Sequence, residues 1–194
     1  YHNTDDIAFS DLNWARLTPC RELIAQNFDS DDARSCLEDL TEVSFEWQQN
    51  ASSEGNQIAQ ALLLTAWLAS RLGWQPVGRI AAGANPNRVI EFRRGEKPVR
   101  VEWVVRGKTN KSSTPFIVNL KTGSSPSAHF SVSESMEDGI VRTHAELPGR
   151  APLERTARLV LMGDVELVNE ELKFPERDEV YEETLSLIAR MVEL

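Results

Sequence analysis

Two cysteines, three histidines and 30 carboxylates are the side chains with which this 194-residue sequence could build acid–base, metal or nucleophilic chemistry. Cys20 falls in the first turn of an expected helix, where the helix dipole and Arg21 favour a thiolate. Cys36 lies on the apolar stripe of the next helix. Two thiols without a legible secretory leader read as free thiols of a reducing compartment, and a redox role for Cys20 or Cys36 is the sharper alternative. A bridge between them is not favoured, because the two helices would offset them along the axis. The histidines His2, His129 and His144 stand in no metal-ligand spacing, and the last two fall in expected strands. Asp178, Glu179, Glu182 and Glu183 open the last helix, where negative charge simply complements the dipole. No nucleophile elbow, P-loop or dinucleotide fingerprint is present, and Gly78 to Gly83 supplies only two glycines with no helix after them. The sequence therefore predicts no catalytic set, no metal and no cofactor.

Charge adds a different signal. Lys and Arg total 21 against 30 Asp and Glu, a net charge of −9. Residues 1–57 carry −9, residues 79–111 carry +6, and residues 164–194 carry −7. An acidic chain is a poor general nucleic-acid binder, because phosphate neutralisation needs a dominant positive field. The basic segment offers Arg79, Arg88, Arg93, Arg94, Lys97 and Arg100. Guanidinium forks suit a sugar phosphate or nucleotide, and the plainer reading puts these charges on the wet faces of strands. The longest apolar stretch, Ala59 to Leu72, is broken by Gln60, Thr65, Ser70 and Arg71. It falls short of the roughly 20 apolar residues a bilayer requires. No membrane contact is expected, and the location expected is cytoplasmic. The chain begins with Tyr1 rather than Met, which suggests the C-terminal portion of a longer protein.

The elements that must hold these side chains follow from periodicity. Thr18-Pro19 reads as a helix start, the hydroxyl capping and the proline opening the helix, with Leu23, Ile24 and Phe28 on its apolar face. A second short helix from Asp29 or Ser30 buries Ala33, Cys36, Leu37 and Leu40. Val43, Phe45 and Trp47 alternate with polar residues as a strand. A mostly apolar helix over 56–72, stopped by Gly73, is expected to be central. From residue 77 the period becomes two. Strands are predicted over 89–94, 99–105, 116–120, 128–133 and 140–147, joined by short turns that favour an antiparallel meander. Helices over 153–162, 165–172 and 178–192 complete the chain. The expected fold is a single α+β domain with an antiparallel sheet of about five to six strands. Residues 1–75 would form a helical N-terminal part, 76–148 the sheet and 149–194 the C-terminal helices.

Asp11-Leu12-Asn13-Trp14-Ala15-Arg16-Leu17-Thr18-Pro19-Cys20-Arg21-Glu22-Leu23 is more specific than a helix start requires. It resembles the stretch DLxWxRLTPWREL of the OpcA-type glucose-6-phosphate dehydrogenase assembly proteins. Ala66 to Trp74 and Arg177 to Leu185 are similar to two further stretches of that family, in the same order. Cys20 stands where members commonly have Trp. The resemblance implies a bacterial, non-catalytic protein, with cyanobacterial members, that binds glucose-6-phosphate dehydrogenase. It would promote the dehydrogenase's active form as an assembly factor or allosteric activator in the oxidative pentose phosphate pathway. It also implies thioredoxin as a second partner through redox control. Interface-type residues then point to Trp14, Arg16, Leu17, Pro19, Arg21, Arg177, Asp178 and Tyr181 as partner contacts.

Overall fold

The computed structural model describes residues 11–49, 54–80, 87–108, 116–135, 139–158, 163, 165–167 and 178–192. Among them, eight strands form one open sheet: β1 (Leu40–Gln49), β2 (Gln75–Pro76), β3 (Arg88–Arg94), β4 (Lys97–Lys108), β5 (Phe116–Thr122), β6 (His129–Ser135), β7 (Ile140–Glu146) and β8 (Leu153–Arg158). Their order is β2-β3-β4-β1-β5-β6-β7-β8. The helices are α1 (Leu12–Arg16), α2 (Thr18–Gln26), α3 (Asp31–Cys36), α4 (Glu54–Leu72) and α5 (Glu179–Val192), with a 3-10 turn over Leu37–Asp39. The fold is α+β, as expected.

One parity of every central strand is buried. Val43, Phe45 and Trp47 of β1 line up with Val99, Val101 and Trp103 of β4 and with Phe116, Val118 and Leu120 of β5, and all are buried. The helices lie on this face. Phe28, beyond the end of α2, meets Phe130 of β6 with ring centroids 4.5 Å apart. The indole N–H of Trp103 donates to the Thr65 hydroxyl of α4 at 3.1 Å. The opposite parity carries Glu42, Ser44, Arg100, Asn119 and Lys121, half-buried or exposed, so the sheet's second face is polar. Alternation in the sequence and this two-layer packing are the same fact, since successive strand side chains point to opposite faces.

Helix α4 was legible from its all-round apolarity. It ends where Gly73 takes φ +68°, and Trp74 N–H donates back to the Ala69 carbonyl at 2.8 Å, closing a Schellman-type stop. Helix α5 packs along α4, and Leu187 and Met191 of α5 are buried.

Four expectations change. The sheet has eight strands rather than five to six, because β2 and β8 extend its two edges. Every neighbouring pair is antiparallel except β1 and β4, which run parallel, Phe45 facing Trp103. That pairing needs a long crossover, and α4 with the β2–β3 segment supplies it. Residues 153–158, expected in a helix over 153–162, instead pair with β7 as strand β8. Leu153 and Ala157 mimic helical spacing, but the turn before them has Gly149 at φ +75°, and the free edge of β7 offers an unpaired ladder. Residues 159–162 lie outside the described residues, as do 168–172 of the next expected helix; 165–167 are helical. Finally, Thr18 does not cap α2. It lies inside the helix, with Leu17 at the cap position, and its hydroxyl accepts from Arg21 Nη2 at 2.9 Å.

Candidate partner-binding site

The two ends of the chain meet in a reciprocal clasp. Asp11 caps α1, one carboxylate oxygen accepting from Asn13 N–H at 2.8 Å. Its other oxygen accepts from the Tyr181 hydroxyl of α5 at 3.4 Å. Asp178 caps α5 in the same way, accepting from Tyr181 N–H at 2.9 Å, and its second oxygen accepts from the Trp14 indole N–H of α1 at 2.7 Å. Each cap thus uses one oxygen on its own helix and the other on an aromatic side chain of the opposite terminus. The Trp14 and Tyr181 rings pack at 5.2 Å between centroids, and the Arg21 guanidinium sits 3.4 Å from the Trp14 ring centroid on its face. Burial, then the Asp11 carboxylate beside it, pushes the Tyr181 phenol up to about 12.

Among the expected contact residues, Trp14, Leu17 and Tyr181 are buried at 4%, 2% and 6% exposure, so they build the clasp from within. Arg16, Pro19 and Arg21 are half-buried and Asp178 is exposed, which puts them at its rim. Arg177 lies outside the described residues. The stretch similar to the second family motif joins the same assembly, since Arg71 of α4 pairs with Glu183 and Arg190 donates to Gln75 at 2.7 Å. Residue type indicated Trp14, and the stretch similar to the third family motif indicated Asp178 and Tyr181. Asp11 was missed as a partner of Tyr181, although an Asp just before a helix is itself a capping signal.

Cys20 differs from the expectation of a favoured thiolate. Cys20 is buried and its thiol is pushed far up, chiefly by desolvation and then by the Glu134 carboxylate; Arg21 opposes this only weakly. The dipole argument fails because the whole side chain is out of water. Cys36 is half-buried, its Sγ 3.5 Å from the Asp32 carbonyl, and its thiol is also raised, first by burial. Both are free.

The basic segment does not converge. Arg94 donates to the Leu37 carbonyl at 2.8 Å and Lys97 to the Glu38 carbonyl at 3.3 Å, docking the β3–β4 hairpin on the 3-10 turn. Arg93 and Arg100 alternate onto the polar sheet face, where Arg100 donates to Glu102 at 2.8 Å and lies 3.4 Å from Glu91. Arg88 donates to the neighbouring Asn87 carbonyl at 3.3 Å, and Arg79 lies in the exposed segment after β2. On the polar face Glu42, Ser44, Arg100, Asn119, Lys121 and His129 line a depression of about 520 Å³. Its cations have carboxylate neighbours, such as Glu42 beside Lys121 at 3.4 Å. No helix among the described residues is long and apolar enough to cross a membrane.

Residues 7–185 match the family described as the C-terminal domain of the glucose-6-phosphate dehydrogenase subunit. A Synechocystis sp. protein named OxPP cycle protein OpcA is 26% identical over 193 residues, spanning 96% of this chain and 39% of its own. Proteins of the same name from Synechococcus elongatus and Nostoc punctiforme are 41% and 44% identical over 95 and 71 residues, covering 48% and 37% of this chain and 20% and 14% of theirs. The chain thus spans less than two fifths of the length of these relatives. A dehydrogenase (MviM) from Clostridium difficile aligns over 93% of this chain and 58% of its own with a TM-score of 0.47 at 8% identity. A Gfo/Idh/MocA family oxidoreductase from Vibrio cholerae aligns over 94% and 58%, with a TM-score of 0.43 and 8% identity. These last likenesses are too distant to bear on function.

Proposed function

We propose, from the premise that this chain belongs to the family of C-terminal domains of the glucose-6-phosphate dehydrogenase subunit, that it docks on glucose-6-phosphate dehydrogenase and favours the enzyme's active form. The family match over residues 7–185 carries this reading. The chain itself performs no catalysis in it; its contribution is binding energy. By linkage it activates only as far as it binds the active state more tightly than the inactive one, about 1.4 kcal/mol for each tenfold shift. The rim of the clasp supports a docking surface there. Arg16, Pro19, Arg21 and Asp178 are reachable from solvent while Trp14, Leu17 and Tyr181 hold them on a packed base. Arginine held against an aromatic face loses less freedom on binding, which favours it as an anchor. Any exchange with the disulfide form of a thioredoxin-type partner would begin at Cys36, the more accessible thiol, whose thiolate attacks one sulfur of that disulfide while the other leaves as a thiolate on the partner.

The test mixes the purified chain with glucose-6-phosphate dehydrogenase from the same organism and follows elution mass and initial rate. Co-elution with a raised rate is expected. Separate elution with an unchanged rate removes the reading for this chain.

A further inference from the structure

Strand β8 is exposed along its whole length, although the neighbouring β7 buries Val141, Thr143 and Ala145 on the helix side. Between the C-terminal end of α2 and strands β7–β8 lie two cavities of about 340 and 180 Å³. They share Gln26, Asn27, Thr143 and Arg155 as walls and so form one groove. Thr143 and Arg155 are direct cross-strand partners, which places them side by side on the helix-side face.

Two donors of this groove, on Arg155 and Asn27, are not spent on the described residues. Arg155 has no ion-pair or hydrogen-bond partner among the described residues. The Nδ2 amide of Asn27 is buried with no acceptor. Buried donors are nearly always satisfied, and one that is not calls for an acceptor from elsewhere. Thr143 adds a hydroxyl at only 8% exposure. A guanidinium fork, an amide and a hydroxyl together are donors for one acceptor group, and a carboxylate fits the fork in bidentate fashion. The rim selects against higher charge. Asp32 is already paired with Arg150, and Asp29 also lines the larger cavity. A dianionic phosphate would bring two charges to one uncommitted guanidinium, Arg155, beside these carboxylates, whereas a monocarboxylate brings one. Leu23, Val141, Ala145, Leu147 and Ala157 supply apolar walls for the rest of a ligand.

We propose that this groove binds a small organic monocarboxylate with an apolar body, its carboxylate held by Arg155 together with the Asn27 amide and the Thr143 hydroxyl. The site is distinct from the clasp and from the 79–111 basic segment, and it stands whether or not the chain docks on the dehydrogenase.

The experiment titrates the ¹⁵N-labelled chain with 3-phenylpropionate, with 3-phenylpropionamide and with inorganic phosphate, each up to about 10 mM, the range in which millimolar affinities saturate. The Asn27 side-chain NH₂ and the Thr143 and Arg155 amide signals are followed. Saturable shifts at these signals with 3-phenylpropionate alone are expected. Arg155→Gln should weaken that binding at least about tenfold, as loss of a charged donor pair does. Arg155 lies on an exposed edge strand, so this variant keeps the fold, and unchanged signals elsewhere verify it. Arg93→Gln, on the far side of the sheet, should bind like the parent chain. No saturable shift, an equal response to the amide or to phosphate, or undiminished binding by Arg155→Gln would each overturn the proposal.

Discussion

Asp11 and Asp178 are each worth more than a cap, because each also holds an aromatic side chain from the opposite end of the chain. Removing either carboxylate with Ala should cost about 1 kcal/mol as a capping loss. The two substitutions should then fail to add, with a coupling of about 0.5 kcal/mol or more in a double-mutant cycle measured by denaturant unfolding, since both act through the Trp14–Tyr181 stack. Tyr181 makes the same clasp sensitive to pH. Its phenol titrates near 12 in the fold against an ordinary value of about 10. The folded chain therefore holds the proton more tightly, so this stabilisation is complete below about pH 10 and is lost as pH rises through 12. Tyr181→Phe should flatten the stability profile across that window. The thiols give a separate test at this scale. Cys36 should react with a disulfide reagent in the native state, and Cys20, at 4% exposure, only on unfolding. Native-state labelling of Cys20 as fast as Cys36 would contradict the burial described.

At the scale of elements, the buried contact between α4 and β4 shows how a polar pair fixes a helix on a sheet. Thr65 accepts from the Trp103 indole and donates to the Ala61 carbonyl at 2.6 Å. Thr65→Val keeps the shape but strands a buried indole N–H, at a cost of about 1–3 kcal/mol. Trp103→Phe in that background should cost much less than it does alone, because the orphaned donor leaves with the ring; thermal unfolding of the four proteins measures this. The contact also marks what periodicity could convey. The face Val99, Val101 and Trp103 was legible from alternation, and so was the helix that covers it. That β1 would lie parallel beside β4 was not legible, since register is decided by which distant strand offers a matching buried face. Strand β8 was misjudged because Leu153 and Ala157 satisfy helical spacing while the deciding term, the unpaired edge of β7, is not local. The clasp lies between these cases. Its residue types could be picked out, but the bond from Trp14 to Asp178 spans 164 positions.

Across the whole molecule, the uneven charge of the sequence takes on a different meaning once the chain is folded. Among the described basic residues of 79–111, Arg94 and Lys97 donate to carbonyls of the 3-10 turn while Arg100 meets Glu91 and Glu102 on the polar face, so the net +6 of this segment is not gathered at one point. Docking at the clasp should then depend on the rim and not on this segment. Arg16→Ala is expected to weaken association with the dehydrogenase about fivefold or more, as loss of an interface arginine does, while moving the unfolding midpoint little. Trp14→Ala should instead act through stability, costing about 3–5 kcal/mol. The divided charge also decides the competing idea of a phosphate site. A ligand present at 100 times its dissociation constant raises stability by about 2.7 kcal/mol, a shift of several degrees for a chain of this size. Such a ligand must draw several guanidinium groups to one point, whereas Arg94 is spent on the Leu37 carbonyl and, on the polar face, Arg100 is already held by Glu91 and Glu102. Glucose 6-phosphate should therefore leave the thermal midpoint unchanged. A saturable upward shift, abolished by Arg100→Gln, would mean that the ion pairs on the polar face open for the ligand, and the basic segment would regain its claim to a binding role.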